Sequence, residues 1–310
     1  MAMRTAALSL LLAMLGATAV AQSNDPSNVS EAPTGGWQSC ADQAQRRTAE
    51  QEIAACTRVL DNTRAEVWRG AAFWWRGIAQ RRAGHPERAD EDFASAFAAY
   101  SHFIETTPLS YQAYLLRAQL LAYLQRHDEA LRDYDAADRI APNQPASRYG
   151  RGAIAFARGD YALAIAELDA AQRMSRFRSG AGALHMTDGA YSGRRPVGQS
   201  FDPLRCTVRT ALGDLDAADE ICDRAIRESN SDPDALVARG FLRFKQGQFE
   251  SSGQDFASAL RSRPDCAPAL LGRGVLRLRA GDAAGVADIE RGRMLDSGVA
   301  AYESAGLRAS

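Results

Sequence analysis

The sequence has little of the chemistry from which common enzyme sites are built. It contains a single lysine, Lys245, and four histidines, which are scattered and do not pair at metal-ligand spacing. The motifs His-Glu-x-x-His, Gly-x-Ser-x-Gly and a glycine-rich loop ending in Gly-Lys-Ser/Thr are missing. We therefore predict no catalytic residue, no metal and no cofactor. A formal net charge of -1 argues against a nucleic-acid partner.

The N-terminal apolar run is too short to be a spanning helix. Residues 6–20 follow Arg4 and end in Ala19-Val20-Ala21, a sequence that suits a signal peptidase. A spanning helix needs roughly 20 apolar residues. We predict a signal peptide at residues 1–21, a flexible polar leader at residues 22–36, and a mature protein that is periplasmic or secreted, without a transmembrane segment.

Small residues recur along the rest of the chain at a fixed interval. Arginine followed by a small residue returns from Ala118 to Gly152, and again from Cys206 through Gly240 to Gly274. The interval of about 34 residues is the length of a helix-turn-helix repeat. The full series defines seven units, whose small residues are Cys40, Gly77, Ala118, Gly152, Cys206, Gly240 and Gly274.

These units resemble tetratricopeptide repeats. The stretch from Gly159 to Ala171, GDYALAIAELDAA, is the closest match, and Pro142 and Pro264 stand near unit ends, as in that family. Two antiparallel helices can approach closely only where side chains are small, which explains the recurring positions. The resemblance implies an all-α solenoid of about seven helix-turn-helix units over residues 37–310, an alpha-alpha superhelix.

Two of the intervals between units are longer than the others, and an arginine recurs before the small residue. The longer interval between Gly77 and Ala118 predicts a second helix about two turns longer than usual. The still longer interval between Gly152 and Cys206 predicts an inserted surface loop at about residues 179–199. The arginine before the small residue, present in six units, should cover the neighbouring helix with its stem and reach water or a carboxylate.

Four of the five cysteines fall into two pairs that occupy the same two positions of their repeat units. The separation from Cys40 to Cys56 equals that from Cys206 to Cys222, with each turn at the midpoint. Residues equidistant from the turn of an antiparallel helix pair lie at the same height, within disulfide range. An exported protein folds in an oxidising compartment. We predict both disulfides, with Cys266 outside them.

The resemblance also implies a concave groove lined by the first helix of each unit. We predict a non-enzymatic scaffold that binds a peptide or helix of a protein partner, unidentified by the sequence, in this groove. The alternatives are a hydrolase with a site in the 179–199 insert and a structural protein that self-associates. Trp74 could instead seal the junction with the first unit, together with Trp68 and Trp75. The groove positions that carry over are Trp74, Ile78, Arg81, Gln119, Tyr123, Tyr149, Phe156, Phe241 and Phe244.

Overall fold

The computed structural model describes residues 36–41, 47–142, 144–178, 187–188, 195–196, 201–229 and 232–308. The predicted signal peptide, nearly all of the leader and most of the 179–199 insert lie outside the described residues. Within the insert, the structure pairs two short antiparallel strands, β1 (Thr187–Asp188) and β2 (Arg195–Pro196).

The described chain is a series of antiparallel helix pairs, which confirms the predicted all-α solenoid. A short helix α1 (Trp37–Cys40) and helix α2 (Ala49–Asn62) form the first unit. Six further pairs follow, and a 3₁₀ turn with a short last helix ends the chain. The pairs are α3 (Glu66–Arg82) with α4 (Pro86–Thr106), α5 (Tyr111–Tyr123) with α6 (His127–Ile140), α7 (Pro145–Ala157) with α8 (Tyr161–Arg178), α9 (Asp202–Leu212) with α10 (Leu215–Glu228), α11 (Pro233–Lys245) with α12 (Phe249–Ser262), and α13 (Ala267–Arg279) with α14 (Gly285–Leu295); the end is η1 (Ser297–Val299) with α15 (Ala300–Ser304).

Helix boundaries follow local capping chemistry. Thr48 and Gln51 form a reciprocal capping box at the start of α2, in which each side chain accepts a hydrogen bond from the other's backbone N–H. Pro86 is the first residue of α4, where a missing N–H carries no penalty. Helix α4 has 21 residues, whereas α6, α10 and α12 have 14 each, which confirms the predicted extension of two turns.

Glycines stand where the two helices of a unit touch. A Cβ added at Gly240 would lie 2.8 Å from the ring of Phe256, on the second helix of the same unit. Gly77 meets Phe93 and Gly152 meets Leu168 in the same way. These contacts confirm that the recurring small residues permit close helix packing, since any side chain there would collide with the second helix.

The six recurring arginines all bind carboxylates on second helices. Arg117 forms a bidentate pair with Asp133 of its own unit and also donates to Ser101 of the preceding unit. Arg151 and Arg205 instead reach acidic residues of the preceding second helix, including Asp135 and Asp169 respectively. Arg117, Arg151 and Arg205 therefore tie neighbouring units together. The pairs within a unit are Arg76–Asp92, Arg117–Asp133, Arg239–Asp255 and, at a separation one residue shorter, Arg273–Asp288.

The two cysteine pairs come together inside their own units. The sulfur atoms lie at bonding distance, and the Cα atoms are 4.5 Å apart for Cys40 and Cys56 and 5.3 Å apart for Cys206 and Cys222. A disulfide spans such distances. Cys266 is buried and lies outside both pairs. Formation of the two bonds in the exported protein stays a prediction.

The superhelix turns back on itself. Arg82, at the end of α3, forms ion pairs with Glu52 in the first unit and with Asp265 in the turn before α13. Arg291 of α14 donates to the backbone oxygen of Arg82 at 3.0 Å and pairs with Asp265 at 3.3 Å. Units far apart in the sequence are thereby in contact.

Candidate functional site

First helices form the inner layer of the superhelix. Helix α9 packs on α11, α5 contacts α7, and α11 contacts α13, so the first helices of neighbouring units touch directly. All nine predicted groove residues lie on such helices, namely α3, α5, α7 and α11. Seven of them fall in two separate apolar clusters, one with Trp74, Ile78 and Tyr123 and the other with Tyr149, Phe156, Phe241 and Phe244.

The first group joins α3 to α5. Trp74 and Tyr123 have ring centroids 6.3 Å apart. The Arg81 guanidinium lies over the Phe93 ring at 4.9 Å and the Tyr123 ring at 5.4 Å, and it donates a hydrogen bond to the Tyr123 hydroxyl at 3.2 Å. Ile78 packs in the same cluster. Cation–π contacts of this kind hold the rings in fixed positions.

Two polar atoms on α3 and α5 are buried without a hydrogen-bond partner among the described residues. They are Nε1 of Trp74, a donor, and Oε1 of Gln119, an acceptor, on residues that are 5% and 2% exposed. Leaving such atoms unpaired costs about 1–3 kcal/mol each. Both atoms are shielded from solvent, so a peptide backbone or a water molecule can pair with them only where the neighbouring side chains move aside.

The tryptophans around Trp74 have packing roles. Trp68 stacks edge-on with Trp37 of the first unit at 4.8 Å, and Trp75 is buried in the cluster that contains Cys40 and Cys56. Trp68 therefore packs across the junction with the first unit, as the alternative interpretation holds for it, whereas Trp75 is buried in a cluster that extends from the first unit to α5. Trp74 shares that cluster but carries the unpartnered indole nitrogen.

The second group joins α7 to α11 and is covered by the C-terminal end of the chain. Tyr302 of α15 packs edge-on against Phe156 at 5.5 Å and Phe241 at 5.9 Å. Phe241 is fully buried and Phe156 is 3% exposed. The expectation that these two rings line an open groove therefore needs correction, because residues 297–308 fill that part of the inner surface. Tyr149 remains half-buried, while Phe244 is buried against Phe249.

Polar and apolar contacts both hold this C-terminal segment, defined as residues 297–308. Lys245, the only lysine of the sequence, donates to the backbone oxygen of Ala305 at the end of α15, with an N–O distance of 3.3 Å. Burial raises the pKa of the Tyr302 hydroxyl well above its usual range, although a hydrogen bond with Thr207 opposes this shift. Val299 and Leu307 add apolar contacts, being 1% and 0% exposed.

Sequence reasoning did not identify the C-terminal segment as an occupant of the inner surface. The usable signal was the apolar set Val299, Ala301, Tyr302, Ala305 and Leu307 after the last repeat unit. These apolar side chains lie outside the helix-turn-helix units that could bury them, so they must pack against another surface.

Two carboxylates that pair with arginines are held in the charged form. Burial alone would raise the pKa of Asp202, but hydrogen bonds from Arg224 and Arg205 outweigh it and lower the pKa. The balance is the same for the pKa of Asp288, where Arg273 and Arg277 supply the hydrogen bonds. These acids serve as ion-pair partners in packing contacts.

The described residues offer little that could hold a metal or cross a membrane. Over this part of the chain, histidine, cysteine and acidic side chains do not gather in groups of three or more suited to a metal ion. Among the helices that the structure describes, none combines the length and apolar character that crossing a bilayer requires.

Comparison with known proteins identifies the family. A sequence model of the tetratricopeptide repeat matches residues 76–145, 142–179 and 237–305, more than half of the chain. The chain belongs to the tetratricopeptide repeat family. Proteins with these repeats build helical solenoids whose stacked units form extended binding surfaces.

Similar proteins share the repeat architecture. The tetratricopeptide repeat and J domain-containing co-chaperone DNJ1 of Cryptococcus neoformans is 35% identical over 82 residues, covering 26% of this chain and 16% of that protein. The structure of a tetratricopeptide repeat protein from Parabacteroides merdae superposes with a TM-score of 0.50 and 15% identity, covering 82% of this chain and 92% of that one. The structure of Cut9 with Hcn1 superposes with a TM-score of 0.50 and 12% sequence identity, covering 85% of this chain and 53% of that one. These two structures support the fold.

Proposed function

We propose that this protein is an exported, non-enzymatic scaffold that binds a peptide or short helix of a protein partner on its inner surface. One observation carries the proposal: a short helical segment with an aromatic anchor already packs there, with Tyr302 between Phe156 and Phe241. The inner surface of this solenoid thus has the shape and apolar character that a helix in a groove requires.

The first group of inner-surface residues supports the same function. Trp74 and Gln119 present a buried donor and a buried acceptor without a partner among the described residues. Because both atoms are shielded from solvent, a bound peptide would supply a carbonyl to the indole N–H and an amide N–H to Oε1 of Gln119 only after the side chains that cover them move aside. Binding a partner through these atoms satisfies groups that otherwise lower the stability of the fold.

Export is supported by the N-terminal sequence and by the cysteines. A predicted signal peptide precedes the repeats, and two cysteine pairs stand at disulfide range in two different units. Disulfides persist in the periplasm and outside the cell but are rare in the cytosol. Absence of a recognisable catalytic motif in the sequence supports a binding role rather than an enzymatic one.

A peptide-display screen against the mature chain tests the proposal. Selected peptides should bind with micromolar or lower dissociation constants, and Tyr149→Ala, on the inner surface, should weaken them about tenfold, the effect of about 1.4 kcal/mol. Tyr114→Ala is the matched control, since Tyr114 is also half-buried but was not assigned to the groove. Failure to select any peptide, or equal effects of both substitutions, would refute inner-surface binding.

A further inference from the structure

The C-terminal segment makes contacts that resemble those of a bound ligand. Residues 300–304 form a single short helix, α15, which is too short to be stable alone and depends on the surface it contacts. Its anchors are Tyr302, between Phe156 and Phe241, and Leu307, which is fully buried. Ser304, on the other side of α15, is exposed.

The receiving surface is built from three consecutive first helices. We call it the C-terminal cleft and define it by Phe156 of α7, Thr207 of α9, and Phe241 and Lys245 of α11. The two rings accept the aromatic anchor edge-on, the Thr207 hydroxyl interacts with the Tyr302 hydroxyl, and the Lys245 ammonium binds a carbonyl at the end of the short helix. Cationic donors near the C-terminal carbonyls of a helix are favourable.

We propose that the C-terminal cleft is a binding site for a short helix of a partner protein with an aromatic anchor, and that the chain's own C-terminal segment occupies this site until the partner displaces it. The proposal rests on the proposed function and deepens it. The partner segment it specifies carries tyrosine or phenylalanine in the place of Tyr302, small residues beside it, and an apolar residue in the place of Leu307.

The covalent link gives the resident segment a large advantage. A short tether holds it at an effective concentration in the millimolar range. If the free segment binds with a dissociation constant of roughly 10 μM, the tethered copy weakens the apparent affinity for a competitor about 100-fold. Weakening the resident segment should therefore strengthen partner binding, which is the opposite of what a purely structural helix would do.

The test uses the full-length chain and a fluorescent synthetic peptide of residues 297–308. We expect the unmodified chain and the Ser304→Ala control to bind this peptide weakly, and Tyr302→Ala to bind it at least tenfold more tightly. Phe241→Leu, added to Tyr302→Ala, should remove most of that gain. A folded Tyr302→Ala chain that binds no more tightly than the control would overturn the proposal.

Lys245 supplies a second readout that needs no binding assay. As the only lysine, it can be followed by peptide mapping after treatment with an amine-reactive ester. The Lys245 side chain is exposed, but its ammonium is held by the Ala305 carbonyl, so its labelling rate should rise in Tyr302→Ala and fall again when excess peptide is added. An unchanged rate would count against displacement. Loss of the folded state in Tyr302→Ala would do so too, because a displaceable segment cannot be essential for folding.

The two proposals fail in different ways. Display-selected peptides that bind equally well to the unmodified chain and to Tyr302→Ala would leave inner-surface binding intact and reject self-occupancy. Tight binding of the 297–308 peptide to Tyr302→Ala, with no other peptide selected by either chain, would support self-occupancy and reject recognition of a partner.

Discussion

Removing Arg117 should destabilise the protein more than removing Arg239, although both occupy the same repeat position. Arg117 makes two hydrogen bonds to Asp133, of 2.7 and 2.8 Å. The Asp133 side chain is 9% exposed, and among the described residues no second arginine contacts it. Asp255, the partner of Arg239, also receives a hydrogen bond of 2.8 Å from Arg243.

The expected loss of unfolding free energy depends on whether the carboxylate left behind by each substitution keeps another arginine partner. Breaking a buried ion pair by removing one member costs about 3–5 kcal/mol, because the other charge stays buried. The Arg117 side chain is 20% exposed, which places Arg117→Ala near the lower end, at about 3 kcal/mol. Arg239→Ala should cost about 1 kcal/mol, since Arg243 still compensates the carboxylate.

Urea denaturation at neutral pH, followed by circular dichroism, measures both losses. A double-mutant cycle isolates the pair: Arg117→Ala combined with Asp133→Ala should be less destabilising than the sum of the single changes by at least about 1 kcal/mol. Equal losses for Arg117→Ala and Arg239→Ala, or additive effects in the cycle, would refute the argument that an uncompensated buried charge dominates.

Further predictions concern the cysteines, an acid and two glycines. Reducing the two predicted disulfides should lower the free energy of unfolding by about 3 kcal/mol per bond, measured with and without reductant; peptide mapping that finds free thiols in exported protein would contradict the pairing. Because the pKa of Asp202 is lowered, its ionised form stabilises the fold at neutral pH, and this stabilisation is lost as the pH falls below about 4. The urea midpoint of Asp202→Asn should therefore change less than that of the unmodified chain between neutral pH and about pH 3. Gly150→Ala should destabilise by about 1–3 kcal/mol, because its Cβ would overlap the buried Tyr134 ring, whereas Gly253→Ala, with its nearest neighbour 3.6 Å away, should be neutral or stabilising by up to about 1 kcal/mol in thermal melts.

Features that depend on one unit were predictable from the sequence. The position of Gly240 against Phe256 and the extended α4 follow from fixed spacings within or between adjacent units. Such spacings determine which residues face each other across a turn, because a helix has a regular rise and period. The cysteine register is a further consequence of the same geometry.

Features that depend on the curvature of the whole array were not predictable. The C-terminal segment reaches Phe156 of α7, several units earlier in the chain, only because successive units rotate by the right amount. The position of a residue within its repeat predicts whether its side chain points inward, but it does not predict which other part of the chain covers that side chain. For this reason Phe156 and Phe241 were expected on an open surface, although Tyr302 buries them.

Contact between Arg82 and Asp265 changes the mechanics of the array. An open solenoid can widen or narrow because small rotations between repeats add up along its length. Here the two ends are clasped, so the sum of those rotations is fixed while the ion pairs hold. While these ion pairs hold, the curvature of the array between α3 and α13 is fixed, so a partner that requires a wider superhelix must first break them.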